Sequence, residues 1–326
     1  MIETCKNYLP NLATTSGITN FPTDFYSLLI TPPEKIAEIY AYYKTRQNFQ
    51  YTIDTEFKKS VVQTDSKGNP IFDKDGNPKT KEKYILDYEY RDYSKAIADF
   101  FIKHEEKGTI RISTCFYCNM TYIKSFDYIG KGKIKETRRV YELDHFIPKS
   151  KCSLFALSLY NFVPSCKNCN HLKLDDVDFS NLSPSELEKL FPSAKCYDHD
   201  SSLKFRINES NQANFPPLSF VKDGLGNDIR KNIYIHLKKR NSDSDSYEEN
   251  EAELFHILER YEPHKNEFLN YMEKHLKYPS SFFALLYKSL TQEQVNSLES
   301  DIFDKEIRNS ENQIFQKIYK DFDEQF

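Results

Sequence analysis

The spacing of apolar residues predicts a helix near the N-terminus. Thr31 and Glu34 flank two prolines in the pattern of a helix start, with a capping residue, proline in the first turn and a capping-box glutamate. Apolar side chains then recur every three or four positions on one face. The pattern therefore predicts a helix that runs to about Phe49.

Turn signals and short alternating segments follow this helix. The signals at 68–70 and 75–78 combine Gly, Asn and Pro, and they precede a strand-like segment at residues 83–90, which predicts an irregular β-meander. A helical pattern over residues 92–106 ends at Gly108. The first 110 residues therefore read as a mixed region of helices and short strands.

Strand-like alternation returns on both sides of Gly130 and Gly132, which predicts a β-hairpin with a glycine-containing tip. Beyond it, capping boxes begin at Ser183 and Thr291, and residues 203–207 favour a strand. Residues 228–240 fit a helix or a strand equally well. From residue 254 onward the apolar spacing is helical.

These patterns predict an α+β protein of about two domains' length, divided into three regions. We expect a mixed region at 1–110, a small core at 111–180 and a mainly helical region at 181–326. The apolar content of 39% is low, but 25 Phe and 23 Tyr are more than a disordered chain would carry, so we expect a thin, aromatic-rich core. No apolar stretch is long enough for a membrane span and no signal peptide is recognisable, so we expect a cytoplasmic protein.

Four of the seven cysteines form two pairs with the spacing of metal ligands. Cys115 and Cys118 make one C-x2-C pair, and Cys166 and Cys169 make the other. Four thiolates complete the tetrahedral shell of Zn2+ and leave no open position, so the spacing predicts a structural zinc ion. The alternative is a set of buried cysteines or a redox pair. The other three, Cys5, Cys152 and Cys196, are interpreted as buried thiols.

Between the two pairs, the chain carries polar residues with known chemistry. The order is Asp144 and His145, then Asn161, then Asn170 and His171. This order, framed by the cysteine pairs, resembles the HNH endonucleases, a family of ββα-metal (His-Me finger) nucleases, in the subgroup with two C-x2-C knuckles. The resemblance covers residues 115–173, under a fifth of the chain.

The resemblance implies a zinc-stapled ββα nuclease core and a role for each of these residues. His145 would be the general base, Asn161 would hold the loop that orients it, and Asp144 with Asn170 would bind one divalent cation, with His171 as the competing ligand. The residue chemistry agrees, because carboxylate and amide oxygens suit Mg2+ or Mn2+ and a neutral imidazole can take a proton from water. The expected reaction is phosphodiester hydrolysis.

Charge supports a polyanionic partner for the central segment. The whole chain has a net charge of −4, yet residues 103–173 hold 13 Lys or Arg against 6 Asp or Glu. We expect the basic side chains of this segment to contact phosphate groups. The candidates are Lys131, Lys133, Lys135, Arg138, Arg139, Lys149, Lys151 and Lys173.

Two alternatives remain open from the sequence. The substrate is expected to be DNA, but the same groups can cleave RNA, and a metal-stapled module can bind nucleic acid or a protein without catalysis. Proteins that resemble this one often belong to bacterial restriction or anti-phage systems, so the resemblance also implies a protein partner such as an ATPase or a sensor subunit.

Overall fold

In the computed structural model of the chain, the described residues are 2–110, 113–130, 135–174, 177, 179–195, 203–209, 233–239, 253–303 and 314–323. They belong to two compact units. The first unit comprises Met1–Ile110 with Ser125–Asp198, and the second comprises Arg111–Lys124 with His199–Phe326. Helices predominate and the sheets are small, so the α+β class is confirmed.

The first unit begins with four helices. They are α1 (Ile2–Ser16), α2 (Phe25–Leu29), α3 (Pro33–Thr45) and α4 (Gln47–Glu56). The helix predicted to reach Phe49 ends at Thr45, and the chain turns at Arg46 in an extended conformation before α4 begins. The apolar spacing continues across this break because Phe49 and Ile53 of α4 are buried with the α3 face.

Two strands form an antiparallel pair after α4, β1 (Lys58–Val62) and β2 (Thr80–Tyr84). The two turns between them match the turn signals, because Asp65 accepts backbone hydrogen bonds from Lys67 and Asn69, and Asp73 closes the second turn in the same way. The two turns of the predicted meander are therefore confirmed, together with a strand pair that ends at Tyr84.

The strand predicted over 83–90 is wrong beyond Tyr84. The helix α5 spans Ile85–Glu106 and starts seven residues earlier than expected. The alternation of residues 86–90 is also compatible with helical spacing, since Leu86 and Tyr90 lead into Tyr93, Ile97 and Phe101 at intervals of three or four. Residues 85–90 are therefore helical because they extend the longer run of helical spacing that follows them.

The predicted hairpin is present but shorter than expected. Its strands are β3 (Phe126–Ile129) and β4 (Lys135–Arg138), paired antiparallel. The flanking residues pair elsewhere: Thr114 forms a bridge with Tyr122. The next strand, β5 (Glu142–His145), pairs antiparallel with β6 (Phe162–Ser165).

A helix follows β6 directly. This helix is α6 (Lys167–Lys173), and it packs on β5. The next helix, α7 (Pro184–Leu190), packs on α3. The capping box predicted at Ser183 starts α7 and is confirmed. Together β5, β6 and α6 make a ββα arrangement whose two strands are joined by residues 146–161.

The second unit joins one strand pair to a group of helices. The strands β7 (Leu203–Glu209) and β8 (Ile233–Lys239) are antiparallel, so the ambiguous segment is a strand over its described residues. The helices are α8 (Ile257–Tyr261), α9 (Lys265–Lys277), α10 (Ser280–Leu286), α11 (Gln292–Phe303) and α12 (Gln316–Asp323).

The core of the second unit is aromatic, as the composition predicted. The ring of Tyr261 stacks on Phe205 with 4.9 Å between centroids, and Phe268 and Phe315 meet edge to face at 5.2 Å. The predicted capping box at Thr291 begins α11. Within the described part of the chain, no helix has the length and apolar character required to cross a membrane.

Candidate functional site

The first cysteine pair lies in a tight turn stabilised by backbone hydrogen bonds. The amide of Cys115 donates to Thr121 O at 2.8 Å, and the amide of Asn119 donates to Cys115 O at 2.8 Å. Asn119 has a φ of +49°, a left-handed conformation that Asn tolerates better than most residues. The turn brings Cys115 and Cys118 to one side of the knuckle.

The second pair lies at the start of α6, where Cys166 is the N-cap and Cys169 is in the first turn. The four sulfur atoms all lie within 4.8 Å of one another, and all four residues are buried. Sulfurs bound to one tetrahedral zinc would be about 3.8 Å apart, given a Zn–S bond of about 2.3 Å. The cluster can therefore hold a zinc ion. None of the six described cysteines forms a disulfide, and Cys196 lies outside the described residues.

Asn161 ties together the segment that joins β5 to β6. Its side-chain oxygen accepts a hydrogen bond from the amide of Ile147 at 2.8 Å, and its side-chain nitrogen donates to the carbonyls of Ile147 and Phe155, both at 3.1 Å. The side chain is fully buried. Asn161 therefore fixes the path of the chain immediately after His145 and again just before Ala156.

His145 is the last residue of β5, and its ring is held by the same segment. Nε2 lies 2.8 Å from the carbonyl oxygen of Ala156. Since a carbonyl oxygen only accepts hydrogen bonds, Nε2 carries the proton, and in the neutral ring Nδ1 has the lone pair. Burial lowers the pKa of His145 to about 4, against a smaller opposite effect of the Ala156 carbonyl. The imidazole is therefore neutral near pH 7.

Asp144 and His145 are neighbours on a strand and turn to different partners, as strand alternation requires. The carboxylate of Asp144 faces α6, where its Oδ2 lies 2.7 Å from Nζ of Lys173. The His145 ring meets Phe162, its partner across the strand pair, at 4.8 Å between centroids. Among the charged neighbours, Lys149 lowers the pKa of His145, Asp144 raises it, and Lys173 lowers it.

Asn170 also faces β5, one turn before Lys173 on α6. Its side-chain nitrogen donates a hydrogen bond to Glu142 Oε2 at 2.5 Å. The two metal-ligand candidates Asp144 and Asn170 therefore lie on the facing surfaces of β5 and α6, each with a different partner. His171, the competing candidate, is exposed.

Lys173 was expected from the sequence to contact phosphate. That expectation is wrong, because the side chain is buried. Its side chain is 1% exposed, and Nζ also donates to the backbone carbonyl of His145 at 2.6 Å. The reason is geometric: residues three apart on a helix share one face, so Asn170 and Lys173 point toward β5 together.

The other basic residues expected to contact phosphate differ in their contacts within the protein and in their exposure. Lys135 pairs with Asp127 at 2.7 Å, and Arg138 and Arg139 lie over the rings of Tyr128 and Tyr141. Lys149 and Lys151 are partly exposed beside the ββα arrangement. Lys131 and Lys133 lie outside the described residues.

Sequence reasoning missed Glu142. It stands two positions before Asp144, so strand alternation places both carboxylates on one face of β5. Strand alternation alone could therefore have identified Glu142 as a neighbour of the Asp144 side chain. The role of Ala156, which contributes only a backbone carbonyl, leaves no signal in the sequence.

Three comparisons with known proteins gave no relative. No family model matches the chain, and neither a curated protein nor a solved structure resembles it closely enough to count as a match.

Proposed function

We propose that the chain is a metal-dependent endonuclease of the HNH kind that hydrolyses phosphodiester bonds in DNA. The observation that carries the proposal is the state of His145. Its Nε2–H donates to Ala156 O, its ring is neutral near pH 7, and its Nδ1 lone pair is therefore suited to accept a proton. The order of strand, Asn161-anchored segment, strand and helix around it supports the same proposal.

In this mechanism, His145 acts as the general base. Nδ1 takes a proton from a water molecule while the water oxygen attacks the phosphorus, and the bond from phosphorus to the leaving oxygen breaks. The imidazolium that forms is stabilised by the Ala156 carbonyl, which accepts the hydrogen bond from Nε2–H. Asn161 keeps the ring in place because it anchors the backbone on both sides of the ring's partner.

Asp144 and Asn170 would hold a divalent cation, Mg2+ or Mn2+. Both present hard oxygen donors at the facing surfaces of β5 and α6, and Mg2+ is commonly held by one or two carboxylates together with substrate phosphate. Bound there, the cation would supply charge stabilisation at the phosphate and the leaving oxygen. The amide of Asn170 is oriented by Glu142, which takes the side-chain nitrogen and leaves the oxygen for a ligand.

The cysteine cluster would hold a structural zinc ion in the same protein. Cys166 and Cys169 bracket the start of α6, and the same short helix carries Asn170 and Lys173. A metal ion on these thiolates would fix the position of α6, and with it the groups that face β5.

The test is cleavage of supercoiled plasmid by zinc-loaded protein with and without added Mg2+ or Mn2+. Because a positioned general base contributes about 10²–10⁴-fold, His145→Ala should lower the cleavage rate by at least about 100-fold. His236→Ala, a change at an exposed histidine on β8, should leave it unchanged. Cleavage that survives in His145→Ala would reject the mechanism, and a parallel RNA substrate decides between DNA and RNA.

A second candidate function is a zinc-stabilised adaptor that binds nucleic acid or a partner protein without catalysis. It is favoured by one observation: within the described residues, the four cysteines are the one group of three or more His, Cys, Asp or Glu residues gathered closely enough for a metal ion. The adaptor predicts nucleic-acid or protein binding with no cleavage under any cation, so the same plasmid assay separates the two functions.

A further inference from the structure

Lys173 is buried against the groups proposed to bind the cation. Its side chain is 1% exposed, Nζ lies 2.7 Å from Asp144 Oδ2, and Nζ donates to His145 O at 2.6 Å. A buried ammonium is costly unless it is paired and hydrogen-bonded, and these two contacts meet that need. They fix both the carboxylate and the peptide at the end of β5.

The position of this ammonium has an electrostatic consequence for any cation at Asp144. The carboxylate carries one negative charge, and the ammonium beside it carries one positive charge, so the pair is neutral. A divalent cation that approaches the same carboxylate is repelled by the ammonium. The repulsion is strong because the side chains of Lys173 and Asp144 are buried, and water screens charges poorly in the protein interior.

We propose that Lys173 is an internal counter-ion of Asp144 that lowers the affinity of this site for divalent cations. The inference rests on the proposed function, since it takes Asp144 as the ligand of the cation. It adds a role that the sequence did not predict: Lys173 sets the cation affinity instead of contacting phosphate. It is a positioning residue, because its contacts are with Asp144 and the peptide of His145 and not with the cation or the substrate.

The test is a titration of zinc-loaded protein with Mn2+, followed by the electron paramagnetic resonance signal of free Mn2+. The variants Lys173→Met and Lys173→Gln remove the charge, and Gln keeps a donor for Asp144 and His145. Lys173→Arg keeps the charge. Lys167→Met, at an exposed lysine of the same helix, is the matched control.

We expect Lys173→Met and Lys173→Gln to bind Mn2+ at least tenfold more tightly than the wild type, while Lys173→Arg and Lys167→Met stay near the wild type. Adding Asp144→Asn to Lys173→Gln should remove the gain. Equal or weaker binding by the folded neutral variants, checked by zinc content and thermal melting, would overturn the proposal. So would neutral variants that stay unfolded at saturating Mn2+, since Lys173 would then be a purely structural residue.

The outcomes also separate this proposal from the proposed function. If the wild type binds Mn2+ and Asp144→Asn does not weaken the binding, the cation site itself is wrongly placed, and the proposed metal chemistry fails with the counter-ion role. If plasmid cleavage depends on His145 but the neutral variants gain no affinity, the nuclease stands and only the counter-ion role is rejected.

Discussion

Asn161 and Ile147 are joined by two hydrogen bonds, one in each direction between the side-chain amide and the backbone. The Ile147 amide donates to Asn161 Oδ1 at 2.8 Å, and Asn161 Nδ2 donates to Ile147 O at 3.1 Å. A primary amide can serve both groups at once, and its second N–H bonds the carbonyl of Phe155 at 3.1 Å. The side chain of Asn161 therefore joins three backbone groups at the point where the chain returns to β6.

Replacing Asn161 by Ala should destabilise the first unit. The change leaves the amide and the carbonyl of Ile147 without their side-chain partner in a fully buried site and removes one of the two hydrogen bonds to Phe155 O, so we expect the free energy of unfolding to fall by about 3 kcal/mol. Urea unfolding of zinc-loaded protein measures it. Asn168→Ala, at an exposed position of α6, should change stability by less than about 0.5 kcal/mol. Equal losses in the two variants would contradict the anchoring role.

His145 should make stability depend on pH in a defined window. Its folded-state pKa of about 4 lies below the ordinary value of 6.5, so the unfolded chain binds the proton first as the pH falls. The stabilising contribution is therefore present above pH 6.5 and is lost as the pH falls from 6.5 towards 4. Between pH 7.5 and pH 5 the loss should be about 2 kcal/mol.

The measurement compares wild type with His145→Gln, which keeps a donor for Ala156 O but does not titrate. Loss of zinc at low pH affects both proteins, so the difference between their unfolding free energies isolates the histidine. Parallel curves for the two proteins across this range would show that the His145 pKa is not lowered.

The elements that sequence alone identified are those with local signals. Ser183 and Thr291 begin helices because a capping box needs only four consecutive residues. The cysteine cluster was predictable for a related reason, since two C-x2-C pairs have one common chemistry. The start of α5 at Ile85 was missed because a few alternating residues fit both periods, and the neighbouring helical run decides between them.

The site was predicted less completely, because its contacts depend on how α6 packs against β5. In the sequence Lys173 is one more base in a basic segment, and its pairing with Asp144 follows from a helix face that the sequence alone does not place. The pairing of Asn170 with Glu142 has the same origin. A basic segment can contain both partly exposed lysines, such as Lys149, and buried lysines that pair with an acid, such as Lys173. Only the packing of the helix shows which lysine is which.

Zinc content gives a direct test of the cysteine cluster. We expect one zinc ion per chain, measured by elemental analysis of purified protein, because four buried sulfurs within 4.8 Å can complete one tetrahedral shell. Cys166→Ser should lose the zinc and lower the melting temperature sharply. Cys152→Ala removes a buried cysteine outside the cluster and should keep the zinc. Full zinc content in Cys166→Ser would show that the cluster is not the metal site.

The salt dependence of DNA binding should identify which cations contact phosphate. Lys149 and Lys151 are partly exposed and follow His145 within six positions in the sequence, whereas Lys173 is buried. Each phosphate contact contributes about 0.9 to the slope of log affinity against log salt, so the double change Lys149→Ala and Lys151→Ala should reduce the slope by about 2.

Fluorescence anisotropy of a labelled duplex measures this slope, in a His145→Ala background that leaves the DNA intact. Lys288→Ala, an exposed lysine outside the basic segment, is the control and should leave the slope unchanged. If the double variant binds with the wild-type slope, these two lysines do not contact phosphate, and the DNA must approach through other groups. The logarithmic slope is the appropriate readout because it counts released counter-ions, whereas a loss of affinity alone could follow from a change in fold.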